Sequence, residues 1–206
     1  MALRAALACA LLLAIAGCGT SKSNSAPSAS GSAPVWPAPP NAIELTKKAG
    51  LIPERAEFLQ YHVHAHLDVF FNGAKVRVPA GIGINIHDPA VHSERLADGT
   101  FAYGGIDPPC KQPCISPLHT HVDDGILHTE SKTPTPNRLG QFFTEWDVRL
   151  TSNCVGDYCD PKTSIAIYVD GETYDGDPRK IELSNFKEIA IVIGSPPDSI
   201  PSEFPQ

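Results

Sequence analysis

Six of the chain's eight histidines fall in two short runs. His62, His64 and His66 lie in Tyr-His-Val-His-Ala-His-Leu. His119, His121 and His128 lie in Leu-His-Thr-His-Val-Asp-Asp-Gly-Ile-Leu-His-Thr-Glu, which ends at Glu130. A spacing of two puts side chains on the same face of a strand. The second run reads as a hairpin, because Asp124-Gly125 suits a two-residue type I′ turn in which both central residues need positive φ. That turn predicts Asp123 facing Ile126, His121 facing His128 and His119 facing Glu130. Three imidazoles and a carboxylate then crowd one side of a short ribbon.

Imidazole and carboxylate donors held at alternate positions of a rigid ribbon suit a transition-metal ion, Zn or Cu, and first-row affinity trends favour copper where it is available. His119, His121 and His128 are the first ligand candidates, His64 and His66 come next, and His62 and Glu130 follow. Asp68 continues the alternation and is placed to orient a ligand imidazole by accepting its other N–H. His87 and His92 fall in loop-like sequence and read as bystanders. The competing account is a polar sheet face with Asp and Glu partners and no ion. It explains six clustered histidines less well, because buried imidazoles without partners are costly.

Three function classes follow: a binding module that captures, buffers or senses the metal, a metalloenzyme, and an envelope interaction domain with a structural ion. The enzyme would be a hydrolase or a cupin-like oxygen-using enzyme with Glu130 or Asp123 as acid/base. Nothing in the chain identifies a substrate, which favours the binding module. A blue-copper electron-transfer site needs a Cys thiolate and usually an axial Met, and the only Met is the first residue. Nucleophile-elbow, phosphate-loop and dinucleotide signatures are missing from the sequence. A formal charge of −7 without a basic cluster argues against nucleic acid.

The elements that must carry these residues are mostly short strands. Residues 61–71 alternate and end at Asn72-Gly73, a hairpin turn, with 75–79 returning. Further strands are expected at 81–86, 164–170, 179–183 and 187–194, with Asp170-Gly171 as the turn that ends the second. Helix is expected within 41–53, and over 139–148 behind an Asn137 cap. With 20 prolines and 16 glycines, the pattern predicts a mainly β fold: a β-sandwich or small open barrel of short antiparallel strands with one short helix.

The amino-terminal segment reads as a lipoprotein signal over residues 1–17. Arg4 supplies the positive end, an apolar run follows, and Ile15-Ala16-Gly17-Cys18 resembles a lipobox. Cys18 would carry the lipid and hold the protein to the extracytoplasmic face of the cell membrane. Residues 18–53 are then a largely flexible tether, and 54–200 the His-rich β domain. Outside the cytoplasm, Cys110, Cys114, Cys154 and Cys159 are expected to form two disulfides, by close pairing or by crossed pairing of the two loops.

The run from His64, His-x-His-Leu-Asp-Val-Phe-Phe-Asn-Gly, is similar to a family of exported bacterial and archaeal proteins without an assigned activity. So are Val-Pro-Ala-Gly-Ile-Gly-Ile, Leu-His-Thr-His-x-x-x-Gly-Ile-x-His-x-Glu and Leu-Gly-Gln-Phe-Phe-x-x-Trp. The resemblance spans roughly residues 61–194 and implies domain limits only. Sequences of this kind usually carry Asp after the second His of His-x-His, where this chain has Val122.

Overall fold

The alternation over 61–71 sets the architecture. A computed structural model describes residues 31–205. The expected signal segment, Cys18 and the first part of the tether lie outside the described residues. In chain order the elements are α1 (Ala42–Lys48), β1 (Tyr61–Phe71), β2 (Ala74–Val76), β3 (His92–Arg95), β4 (Phe101–Gly104), β5 (Leu118–His119) and β6 (Ile126–Ser131). There follow α2 (Leu139–Glu145), β7 (Leu150–Thr151), β8 (Cys154–Val155), β9 (Tyr158–Cys159), β10 (Ile165–Val169), β11 (Glu172–Thr173) and β12 (Glu188–Ile193).

The fold is mainly β, as the composition predicts. One seven-stranded sheet runs β11-β10-β12-β1-β6-β5, with β2 also paired to β1. Two small sheets, β3–β4 and β7–β8–β9, flank it, and none of the three closes into a barrel. The sheet is mixed rather than wholly antiparallel, because β1 and β12 run parallel. That pairing buries β12 throughout, which accounts for the near-continuous apolar run Ile-Ala-Ile-Val-Ile.

On β1, Ala65, Leu67, Val69 and Phe71 point into the main core, joined by Leu127 of β6 and Ile189, Ile191 and Ile193 of β12. Helix α2 covers this face with Leu139, Phe142 and Phe143, and Trp146 follows at its end. The even positions His62, His64, His66 and Asp68 therefore share the opposite face, and only Phe70 there is apolar, against Ala190 and Val192. The two hairpin turns expected after β1 and β10 form with positive φ at both central residues, Asn72-Gly73 and Asp170-Gly171.

Several expectations are corrected. Among the described residues both expected helical segments form, α1 and α2, so the fold holds two short helices where its class named one. Residues 81–86 make turns with a single bridge from Ile84 to Ile115, because Gly81 and Gly83 take positive φ and break the strand. Residues 178–180 form a 3-10 turn where a strand was expected, with Pro178 at its start. Asn137 does not cap α2; its amide reaches Thr129 Oγ1 at 3.2 Å, and Gln141 Oε1 accepts from the Arg138 N–H instead. Trp36, inside the expected tether, packs edge-on against Trp146, whose indole N–H donates to the Trp36 carbonyl at 3.0 Å. The cysteines pair locally, Cys110 with Cys114 and Cys154 with Cys159, each closing a short loop.

One carboxyl is sealed in the core between the helices. Glu145 Oε1 lies 2.8 Å from Thr46 Oγ1 of α1. Burial pushes its pKa up to about 8, against the weaker opposing effect of the Ser116 and Thr46 hydroxyls. A folded-state pKa above the unfolded one means that stability is fully present at acid pH and lost as pH rises from the ordinary carboxyl range toward about 8. Denaturant unfolding of the wild type and Glu145→Gln between pH 5 and 8.5 should therefore diverge. The variant gains on the wild type by up to about 1.4 kcal/mol per pH unit inside that window. A stability difference independent of pH would refute the assignment.

Candidate metal centre

Strand β6 lies between β1 and β5, and its register to both assembles the site. His128 pairs across from His64 on one side and from His119 on the other, while His62 faces Glu130. The expected two-residue turn does not form. Of Asp124-Gly125 only the glycine has positive φ, and Asp124 Oδ1 instead accepts from the Ile126 N–H at 2.9 Å. His119 thus faces His128, not Glu130, a register two residues from the expected one. A shift of two preserves the face, whereas a shift of one would have inverted it.

Residues 120–125 loop out because they find better partners elsewhere. Thr120 exchanges backbone bonds with Gly81 and Ile82, and its hydroxyl donates to the Pro79 carbonyl at 2.8 Å. The His121 carbonyl accepts from the Tyr103 N–H at 2.9 Å, fastening the loop to the β3–β4 hairpin. These bonds hold His121 beside His119 although it belongs to no strand.

The donors converge closely. His119 Nε2 and His121 Nε2 are 3.1 Å apart. Glu130 Oε2 is 3.8 Å from His119 Nε2, and Oε1 is 3.7 Å from His121 Nε2 and 3.4 Å from His128 Nδ1. One donor atom from each of these four residues lies within 4.8 Å of every other. Neighbouring ligands of a tetrahedral ion with bonds of about 2.0–2.2 Å sit about 3.3–3.6 Å apart, so the set is close to the required size. His119 is fully buried, and Glu130 nearly so.

Each pair member is oriented from behind. His119 Nδ1 donates to the Ser116 carbonyl at 2.9 Å, and His121 Nδ1 donates to the Tyr103 carbonyl at 2.6 Å. The role expected of Asp68 thus falls to backbone carbonyls. With Nδ1 donating, a neutral ring carries its lone pair on Nε2, so two neutral rings here would set lone pairs against each other. Burial, then His121, pushes the His119 pKa down to about 3. For His121, burial is outweighed by the Glu130 carboxylate and the Tyr103 carbonyl, which raise it. Burial would raise Glu130, but the surrounding imidazoles, His121 and His128 foremost, hold it far below the usual carboxylate range.

His62 and His64 stand next to this set, with Nε2 atoms 2.8 Å apart and His62 Nε2 3.2 Å from Glu130 Oε1. With His128 they form a second group of donors within 4.8 Å of one another. Burial, with His128 and His62 alongside, lowers the His64 pKa.

His66 is separate. Its Nδ1 donates to Glu188 Oε2 at 2.7 Å and its Nε2 to the Asp124 carbonyl at 2.9 Å, so both ring nitrogens are occupied. Burial opposes a charged ring, but Glu188 and Asp68 outweigh it and raise its pKa. Lys75 Nζ meets Asp68 Oδ1 at 2.6 Å, so two cations face two carboxylates. His66, Asp68 and Glu188 form a third group of donors within 4.8 Å of one another, apart from the other two. Asp123 turns away to Arg77, at 2.7 Å, and does not reach the imidazoles. His87 is exposed, and His92 lines a cleft of about 310 Å³ with Tyr103, Gly104 and His121.

Sequence reasoning missed the Ser116 and Tyr103 carbonyls, which carry no residue-type signal, and Glu188. The last had one: a lone acid heading an otherwise apolar strand. No family model, no curated protein and no solved structure matches the chain.

Gly104 offers a test of the arrangement. It has φ +149, and a Cβ there would meet His121 Nδ1 at 2.6 Å. Gly104→Ala should displace the His121 ring and lower Zn²⁺ affinity by about tenfold to a hundredfold, measured by competition with a chromophoric chelator. Unchanged affinity in a folded variant would show that His121 is not a ligand.

Proposed function

We propose that this domain binds a transition-metal ion, Zn²⁺ or Cu²⁺, through His119, His121, His128 and Glu130. It acts as a capture, buffering or sensing module on the outer face of the cell membrane, held there by lipid on Cys18. The observation that carries the reading is the pair of Nε2 atoms 3.1 Å apart whose Nδ1 partners are both committed to carbonyls. Two facing lone pairs need a shared cation. A proton on His121 would relieve that contact alone. It would leave His128 Nδ1 and Glu130 Oε2, both buried, without a hydrogen bond. A metal ion takes all four donors.

A metalloenzyme remains the second reading, favoured by the cleft beside His121, where a substrate could approach an open coordination position. Glu130 is then its acid/base candidate, since Asp123 is bound to Arg77. The four-donor set and the burial of two of its members, His119 and Glu130, favour holding an ion over turning over a substrate.

Elemental analysis of the purified full chain should find stoichiometric Zn or Cu, lost on changing His119, His121 and His128 to Ala. A native protein that carries no metal and takes up neither ion when offered refutes the reading. Binding requires unprotonated imidazoles, so affinity should be steady at alkaline pH. It should fall as pH drops through the raised pKa of His121, by about tenfold per unit for each proton displaced. For the anchor, Cys18→Ser should move the protein from the membrane fraction to the soluble one, and a variant that stays with the membrane refutes lipidation.

A further inference from the structure

We infer that the histidine face is a two-metal centre, with a second divalent transition-metal site built by His62 and His64 that shares His128 with the first. This rests on the metal reading above and deepens it. The two His-x-His pairs are built alike although they lie on different elements. His62 and His64 rings stand edge-on at 4.4 Å with Nε2 atoms 2.8 Å apart. His119 and His121 rings stand edge-on at 4.6 Å with Nε2 atoms 3.1 Å apart.

His128 lies midway between them. Its ring centroid is 4.4 Å from His64 and 4.4 Å from His121, edge-on to both. It is stacked with the other member of each pair, at 6.2 Å from His62 and 5.6 Å from His119. The equivalence follows from the register, because His128 is the β6 residue opposite His64 on β1 and opposite His119 on β5.

One ion cannot serve all these donors. Ligands across a single ion with bonds of about 2.0–2.2 Å are no more than about 4.4 Å apart. The donors instead divide into two groups, His62–His64–His128 and His119–His121–His128–Glu130, each within 4.8 Å internally, and neither contains both pairs. An imidazole has two ring nitrogens and binds two ions once its N–H proton is released to solvent. The Glu130 carboxylate, 3.2 Å from His62 Nε2 and 3.7 Å from His121 Nε2, supplies negative charge between two cations that would otherwise repel. The His62 side chain is 36% exposed and that of His119 1%, so the second site opens to solvent and the first is enclosed. The rim site is accordingly the faster to exchange.

Stoichiometry decides the matter. The full chain, stripped with chelator and titrated with Zn²⁺, is weighed intact by native mass spectrometry, with circular dichroism to confirm folding. Wild type should take up two zinc ions. His62→Ala/His64→Ala should take up one, with the affinity of the remaining site within a few-fold. His62→Gln/His64→Gln, which keeps polar groups at the rim, should behave the same way. His128→Ala should weaken both sites. A wild type that saturates with one zinc, or a His62/His64 variant that still binds two, overturns the two-metal centre while leaving the single site intact. A chain that binds none overturns both readings. Loss of only one ion in His128→Ala overturns the sharing of that residue.

Discussion

The pairing of β6 with β1 on one side and β5 on the other is the constraint on which the site depends. Backbone hydrogen bonds fix which residues lie opposite one another, and alternation fixes which face they occupy. With Ala65, Leu67, Leu127 and Leu118 committed to the core, His62, His64, His128, His119 and Glu130 have no alternative to a common polar face. The apolar face thereby enforces the polar one. A one-residue slip would bury the histidines under α2 and expose the leucines, so burial of the core holds the ligand set in place.

Two polar clusters share that face and differ in kind. At His66, Glu188 and the Asp124 carbonyl take the two ring nitrogens, and Lys75 pairs with Asp68. The cluster pins the 120–125 loop to β1 through the Asp124 carbonyl. At His119 and His121, the Nδ1 atoms are spent backward on carbonyls, and the Nε2 atoms converge to 3.1 Å. Similar residue types on one sheet face thus yield an imidazole paired with a carboxylate in one place and facing imidazoles in the other. The difference lies in what stands behind each ring.

Much of the arrangement was legible in the chain. The two-residue spacing of the histidines, the Asn72-Gly73 and Asp170-Gly171 turns and the apolar run of β12 are local signals, and each formed as expected. The reading of Asp124-Gly125 as a tight turn failed because Thr120 and His121 pair with Gly81, Ile82 and Tyr103, partners far off in sequence that outcompete the hairpin. Long-range pairing also sets His66 apart from the other five clustered histidines, since its partner Glu188 lies 122 residues away. Residues 81–86 and 179–183 carried strand-like patterns that glycine and proline geometry overrode.

The sequence by itself determined residue types and their parity: which side chains are imidazoles, and which of them share a face wherever a strand forms. Parity survives a two-residue change of register, which explains why the cluster formed although the predicted hairpin did not. Only the tertiary structure decided which neighbour stands behind each ring, because β12 runs beside β1 and the β3–β4 hairpin closes over His121. A histidine's capacity to hold a metal rests on where its second nitrogen points. That nitrogen's partner comes from distant chain, through long-range pairing that no local spacing encodes.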